Sequence, residues 1–265
     1  MSEEPASVDF DRAAEFYDAT RGLNDETTER TLDLLTQEVA GRGRVLEIGV
    51  GTGLMALPLA ERGVNMVGLD LSEQMLGQLV RKAGGRPPFP LLRADATRLP
   101  LRDGGFDAAY ARHVLHLIPN WRLAVQELCR VVGRGVVLIE AGWSGGQDGW
   151  SSLWDAVRAA AGPAVEHVGL QMSSEGRAEL DGAFIEAGGR PRELPEIPYE
   201  DHDTVERFVS EIERRSPSWT WRATDEEVTA AVDAARRWAM ERFGMLDVRP
   251  DTTAHVRWRA FDIDR

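Results

Sequence analysis

The sequence predicts an α/β fold: a doubly wound, mainly parallel sheet with helices on both faces and a helical cap inserted in its C-terminal part. Three observations predict it. Short apolar runs alternate with amphipathic helical segments up to about residue 142. The run Val136–Ile139 has no polar face, as expected for a strand that is covered on both sides of a parallel sheet. After residue 142, helical patterns predominate.

The first half of the chain predicts five strands joined by helices. The first helix places Leu32, Leu35 and Val39 on one face. Ser72 stands where an N-cap residue would accept from the first free amides of a later helix. Strands are expected at 44–48, 65–69, 91–94, 106–110 and 136–140, and helices at 27–40, 54–62, 72–82 and 121–132.

The second half predicts helical insertions around the last helix and strands of the sheet. Residues 143–187 read as helices with loops, and two more helices are expected at 203–215 and 225–243. Strands are expected at 193–197 and 253–263. The predicted domains are a core at 1–142, a helical cap or substrate region at 143–250 that is interleaved with the last core helix and strand, and a final core strand at 251–265.

Composition and charge exclude several classes of protein. The hydrophobic share of 43% and the charged share of 28% are typical of globular proteins. The net charge of −13 repels phosphate, so neither nucleic acid nor a membrane surface is expected as a partner. Cys129 is the only cysteine, and no metal site is predicted. No apolar run approaches ~18 residues and no signal-peptide pattern opens the sequence, so we expect a cytoplasmic protein.

A glycine-rich turn follows the first predicted strand. Gly49, Gly51 and Gly53 alternate there with other residues, and a helix is predicted directly afterwards. Glycines permit positive φ and a close approach of ligand to backbone, and the free amides at a helix start attract an anion. A dinucleotide site needs its third glycine where this chain has Leu54. The carboxylate of Glu47 favours an ammonium or a sulfonium over a pyrophosphate.

Residues 47–53 read Glu-x-Gly-x-Gly-x-Gly and resemble motif I of the class I S-adenosylmethionine (SAM)-dependent methyltransferases, whose fold is Rossmann-like. The resemblance covers about residues 10–142 and is best with small bacterial methyltransferases of the methyltransferase-11 type. The usual Lys-Pro-Gly-Gly before the fifth strand is eroded here to residues 132–135. Four later segments agree with the family in order and spacing: 68–76, 94–101, 106–110 and 115–117.

The resemblance implies which residues hold the cofactor SAM. Asp70 would accept hydrogen bonds from both ribose hydroxyls, because a carboxylate accepts two bonds side by side. Leu71 and Met75 would flank the adenine, Asp95 would accept from its amino group, and the amide of Ala96 would donate to its ring. The full expected set is Tyr17, Arg21, Glu47, Gly49, Gly51, Gly53, Asp70, Leu71, Met75, Asp95, Ala96, Arg112 and His113.

The resemblance further implies SAM-dependent methyl transfer to a small-molecule acceptor, with O-, N- and C-methylation all open. His113, Tyr17 and Glu140 are candidate bases by position alone, and no catalytic dyad is visible in the sequence. Trp143, Trp219 and Trp221 are expected to line the acceptor pocket.

Two alternatives remain open at this point: an NAD(P)-dependent oxidoreductase, and a SAM-binding protein without catalysis. The sequence predicts neither the acceptor nor the oligomeric state.

Overall fold

The computed structural model describes residues 10–11, 14, 17–18, 25–144, 149–166, 168–171, 173–199, 203–252 and 254–264. These residues form two compact units. The sheet unit comprises the described residues within 1–142, 168–197 and 257–265, and the helical unit comprises those within 143–167 and 198–256. Among the described residues, no helix is both long enough and apolar enough to cross a membrane.

The sheet has eight described strands, five of which form its parallel part. The strand order is β3-β2-β1-β4-β5-β8-β6, with β7 paired to β8. The chain order therefore reverses between β1 and β4, and ligands of doubly wound sheets bind beside such a reversal. The strands are β1 Arg44–Ile48, β2 Asn65–Asp70, β3 Leu91–Arg93, β4 Ala108–Ala111, β5 Arg134–Ser144, β6 Gly189–Glu193, β7 Ile197–Pro198 and β8 His255–Asp264.

The helices of the sheet unit follow the predicted alternation. Ser72 caps helix α3, Glu73–Lys82, by accepting from the amide of Met75 at 3.0 Å, as predicted. Helix α4 begins and ends at the predicted residues. The helices are α1 Asp25–Val39, α2 Ala56–Glu61, α3 Glu73–Lys82, α4 Trp121–Val132 and, later in the chain, α6 Ser174–Glu186.

The parallel strands are covered on both sides. Val45 and Leu46 point to opposite faces of β1, and both are buried. On one side, α4 and α6 pack onto the sheet, where the rings of Phe184 and Phe261 stack at 3.7 Å. The sequence therefore predicted the doubly wound, mainly parallel sheet correctly, because residues on both faces of the central strands are mostly apolar.

One predicted strand was wrong. A strand was expected at 193–197, but the chain pairs at Gly189–Glu193 and again only briefly at Ile197–Pro198. β6 runs antiparallel to β8, with Arg192 opposite Ala260. Three of its five residues are exposed or half-buried charged groups and one is proline, which an edge strand tolerates. An edge strand buries little apolar surface, so a strand such as β6 shows no alternating apolar pattern in the sequence.

The helical unit has a hydrophobic core of its own. Its helices are α5 Gly149–Ala161, α7 Val205–Glu213 and α8 Asp225–Phe243. Thr224 caps α8 in a reciprocal capping box with Glu227. Trp150 and Trp154 both pack edge-on against the ring of Phe208.

Candidate functional site

The turn after β1 is built so that glycine is required at two of its positions. Gly49 has a φ of +70°, and a Cβ there would lie 2.7 Å from the Cγ2 atom of Val114. Gly53 has a φ of +80°, and its Cβ would lie 2.9 Å from the Cγ atom of Leu79. Side chains other than hydrogen would be strained and would also clash. The backbone of the turn is therefore left uncovered by side chains of its own.

Asp70 ties the end of β2 to this turn. One carboxylate oxygen accepts from the amide of Gly51 at 2.8 Å, and the other accepts from the amide of Ser72 at 2.9 Å. A carboxylate oxygen can accept more than one hydrogen bond, so both oxygens keep capacity for a ligand. Asp70 thus fixes the turn and also offers acceptors beside it.

A cavity opens at the carboxyl ends of β1, β2, β3 and β4, and together with the space that is open to solvent it measures about 640 Å³. Its polar lining includes the carboxylates of Asp70 and Asp95, and its apolar lining includes Met75 and Ile118. The lining residues are Phe10, Tyr17, Gly49, Gly51, Leu69, Asp70, Leu71, Ser72, Met75, Ala94, Asp95, Ala96, His113, Val114, Leu117 and Ile118.

The loop after β3 presents Asp95 and Ala96 to the cavity. One carboxylate oxygen of Asp95 accepts from both the amide and the hydroxyl of Thr97, each at 2.8 Å. This Asx turn holds the loop in shape. The Asp95 side chain stays exposed, while Ala96 is buried.

Described residues near the N-terminus reach the same region. Phe10 and Tyr17 line the cavity, and their rings meet edge-on at 5.9 Å. Asp18 accepts from the ammonium of Lys82 at 2.6 Å and from the hydroxyl of Thr52. These contacts join the segment to α3 and to the glycine turn. Arg21, which we expected to act with Tyr17, lies outside the described residues.

Glu47 lies in the protein interior next to the cavity lining. The hydroxyl of Tyr110 donates to its carboxylate at 2.6 Å. Burial raises the pKa of Glu47 to about 8, because desolvation outweighs the Tyr110 hydrogen bond and the positive charge of Arg112. Glu47 is therefore mostly protonated at neutral pH. Its expected contact with the methionine end of a cofactor stays a prediction.

Arg112 and Glu140 form an ion pair beside this carboxyl. The Arg112 Nε atom lies 2.9 Å from a Glu140 oxygen, and their side chains are 6% and 0% exposed. Burial raises the pKa of Glu140, and Arg112 opposes that rise. His113 follows on the chain with a φ of +51°, and its Nε2 atom lies 3.3 Å from the other Glu140 oxygen.

The structure brings most of the predicted cofactor residues to one cavity. Glu47 and Arg112 are buried next to it, and Gly53 shapes the turn. Sequence analysis missed seven lining residues, although the apolar pattern after β4 could have indicated the last three: Phe10, Leu69, Ser72, Ala94, Val114, Leu117 and Ile118. The predicted residues that line the cavity are Tyr17, Gly49, Gly51, Asp70, Leu71, Met75, Asp95, Ala96 and His113.

The tryptophans that we expected near an acceptor belong to the helical unit. Trp219 is 8% exposed and packs in that unit's hydrophobic core. Trp221 is half-buried, and its indole nitrogen donates to the carbonyl of Arg215 at 2.7 Å. The side chain of Trp143 lies outside the described part of the chain. An acceptor contact for these three residues stays a prediction.

The chain is similar to known methyltransferases. Residues 46–139 match a family model described as a methyltransferase domain. A malonyl-[acyl-carrier protein] O-methyltransferase of Geobacter sulfurreducens is 29% identical over 250 residues, 92% of each chain. A demethylmenaquinone methyltransferase of Clavibacter sepedonicus is 33% identical over 51% of this chain and 57% of its own. The chain spans about half the length of several curated relatives that it matches.

A solved structure shares the fold. A phosphoethanolamine N-methyltransferase of Haemonchus contortus, in complex with phosphomonomethylethanolamine and S-adenosylhomocysteine, superposes with a TM-score of 0.56. The match has 16% identity and covers 96% of this chain and 58% of that chain.

Proposed function

We propose that the chain carries a methyltransferase domain of the class I SAM-dependent type and that it transfers a methyl group from SAM to a small-molecule acceptor. The observation that carries this proposal is the cavity at the carboxyl ends of β1 to β4. It unites an uncovered glycine turn with two carboxylates and an apolar wall.

The residues of the cavity fit SAM. Asp70 offers carboxylate oxygens for the two ribose hydroxyls, next to amides that already fix its position. Leu71 and Met75 supply apolar surface for a flat base, and Asp95 supplies an acceptor for an amino group. Gly49 and Gly51 line the cavity without side chains, and the methionine portion is proposed to lie against their backbone. Arg21 and Tyr17 remain our proposed partners of its carboxylate.

SAM supplies an activated methyl group on a sulfonium when bound. The chain's part in such a displacement is mainly alignment, because the acceptor, the methyl carbon and the sulfur must be collinear. The walls at Tyr17, His113 and Leu117 are therefore proposed to orient the acceptor.

We propose that the acceptor is selected largely outside residues 46–139. The two relatives described above are named for different acceptors, a malonyl-[acyl-carrier protein] and demethylmenaquinone, although both share this core. The helical unit differs from the core in architecture, so we propose that Trp143, Trp219 and Trp221 contribute to acceptor recognition. The net charge of −13 supports an acceptor other than nucleic acid. We also propose that the reaction takes place in the cytoplasm.

Calorimetric titration with SAM, S-adenosylhomocysteine and NADH tests the cofactor assignment. We expect both SAM-derived ligands to bind and NADH not to bind. Binding of NADH alone would instead support an oxidoreductase.

A second measurement follows S-adenosylhomocysteine formation with panels of phenols, amines and carboxylic acids. Turnover with any of these panels supports the proposal. Tight SAM binding without turnover on any acceptor, or on fractionated cell extract, would indicate a SAM-binding protein without catalysis.

A further inference from the structure

His113 has an unusual backbone conformation at the wall of the cavity. Its φ is +51°, and histidine adopts this left-handed conformation only where the surrounding structure enforces it. The residue lies two positions after the end of β4, and its side chain is 20% exposed and lines the cavity. The imidazole is thus held at the boundary between the cavity and the protein interior.

Two charged side chains, Glu140 and Arg112, connect this imidazole with the protein interior. His113 Nε2 lies 3.3 Å from one oxygen of Glu140, and Arg112 Nε lies 2.9 Å from the other. Both Glu140 and Arg112 are nearly fully buried. A buried ion pair contributes little to stability compared with an apolar pair, so its presence beside a cavity points to a functional role.

We propose that His113 is the general base of the methyl transfer and that Glu140, itself held by Arg112, is its positioning residue. The proposal rests on the proposed function and assigns a substrate class to it. A base in this place implies an acceptor that still carries its proton at neutral pH; an alcohol or a phenol is the proposed class, and turnover of amines alone would overturn that choice. An acceptor that is already ionised, such as a carboxylate, needs no base in this place.

The proton and electron balance of the step is simple. A lone pair on the acceptor oxygen forms the new O–C bond while the C–S bond breaks, and the bonding electrons stay on sulfur. The O–H proton passes to His113, whose Nδ1 carries a lone pair when Nε2–H points to Glu140. The products are a methyl ether and S-adenosylhomocysteine, and the imidazolium afterwards releases its proton to water. The carboxylate of Glu140 stabilises the imidazolium in between.

Several other ionisable groups lie around His113. Arg112 precedes it on the chain, and the ring of His116 meets its ring edge-on at 6.3 Å. The carboxylates of Asp70 and Asp95 and the phenol of Tyr17 line the same cavity.

The pairing can be tested without an acceptor. Nuclear magnetic resonance titration of the five histidines, assigned with the variants His113→Asn and His116→Asn, gives the pKa of each imidazole. We expect Glu140→Gln to lower the pKa of His113 by about one unit or more, because a neighbouring carboxylate favours the imidazolium. The pKa of His255, which lies on β8, should stay constant. An unchanged His113 titration would overturn the proposal.

Since Glu140→Gln also leaves Arg112 without its carboxylate, Glu140→Asp serves as a second variant that keeps the charge.

The role of His113 as the base is tested with His113→Asn, because asparagine tolerates the left-handed backbone but cannot take up the proton. With the alcohol or phenol found by the turnover screen, we expect kcat to fall by roughly 100-fold or more. The acidic limb of the kcat–pH profile should disappear. His116→Asn is the matched control, since His116 is not among the cavity-lining residues described. It should leave kcat within about threefold.

Failure of this inference and failure of the proposed function give different results. Equal turnover and equal pH profiles for wild type and His113→Asn would overturn the base role and leave methyl transfer intact. Turnover confined to ionised acceptors would do the same. Binding of S-adenosylhomocysteine without turnover of any acceptor would overturn the proposed function, and the base role with it.

Discussion

The carboxyl of Glu47 shows how burial of one residue changes chemistry at the residue scale. Its pKa is about 8 in the folded chain against 4.5 for an exposed group. A raised folded-state pKa contributes stability that is complete below pH 4.5 and is lost as the pH rises through 8. Each pH unit within that window costs up to about 1.4 kcal/mol of unfolding free energy.

We therefore expect the unfolding free energy of the Glu47→Gln variant to depend less on pH than that of wild type between pH 5 and 8. Glutamine keeps an acceptor for the Tyr110 hydroxyl but has no ionisation to suppress. Urea unfolding at several pH values measures the effect, and Glu61→Gln is the matched control at an exposed position. Parallel stability–pH curves for wild type and Glu47→Gln would mean that Glu47 ionises freely in the folded protein.

Asp70 gives a second prediction for a single residue. Asp70→Ala should weaken SAM binding by roughly 1.5–3 kcal/mol, which is the usual loss for hydrogen bonds to a charged group. Part of the loss will come from the freed amides of Gly51 and Ser72, which Asp70 now holds. Calorimetry measures the change, with the exposed Asp233→Ala as the control. An unchanged affinity would remove Asp70 from the cofactor site.

At the scale of elements, the turn between β1 and α2 decides where the cavity lies. Gly49→Ala should lower both the unfolding free energy and SAM affinity, because a positive φ is combined with a clash against Val114. Gly63→Ala is a matched control, since Gly63 has a φ of +86° but open space around its Cβ position.

We expect Gly63→Ala to cost about 1 kcal/mol of stability from backbone strain and nothing in SAM affinity. Gly49→Ala should cost more than that in chemical denaturation and should also reduce binding in calorimetry. Equal effects of the two changes on stability and binding would show that Val114 moves aside at little cost.

At the scale of the whole molecule, the sheet unit and the helical unit are expected to divide the work between cofactor and acceptor. Trp221→Ala should raise the KM for the acceptor several-fold and leave the Kd of SAM unchanged. Trp238→Phe, which changes a buried tryptophan of the same unit, is the control for general destabilisation. A lowered Tm without any kinetic change would assign Trp221 to the packing of the helical unit.

The sequence by itself determined the alternation of elements and the glycine turn, and the resemblance of its motifs to a known family indicated most of the cavity lining. The first two features are local: a strand covered on both faces is mostly apolar, and a positive φ beside close neighbours needs glycine. The cap at Ser72 and the full extent of α4 could be predicted for the same reason, since caps and amphipathic faces depend on residues a few positions apart.

Only the tertiary structure decided which polar and charged side chains come into contact. Glu47 and Tyr110 are 63 residues apart in the chain, and Glu140 reaches His113 only because β4 and β5 lie side by side. The position of β6 was decided in the same way, by pairing with a strand 66 or more residues later. Contacts between distant segments depend on how the sheet is ordered, and the local pattern of a sequence does not contain that order.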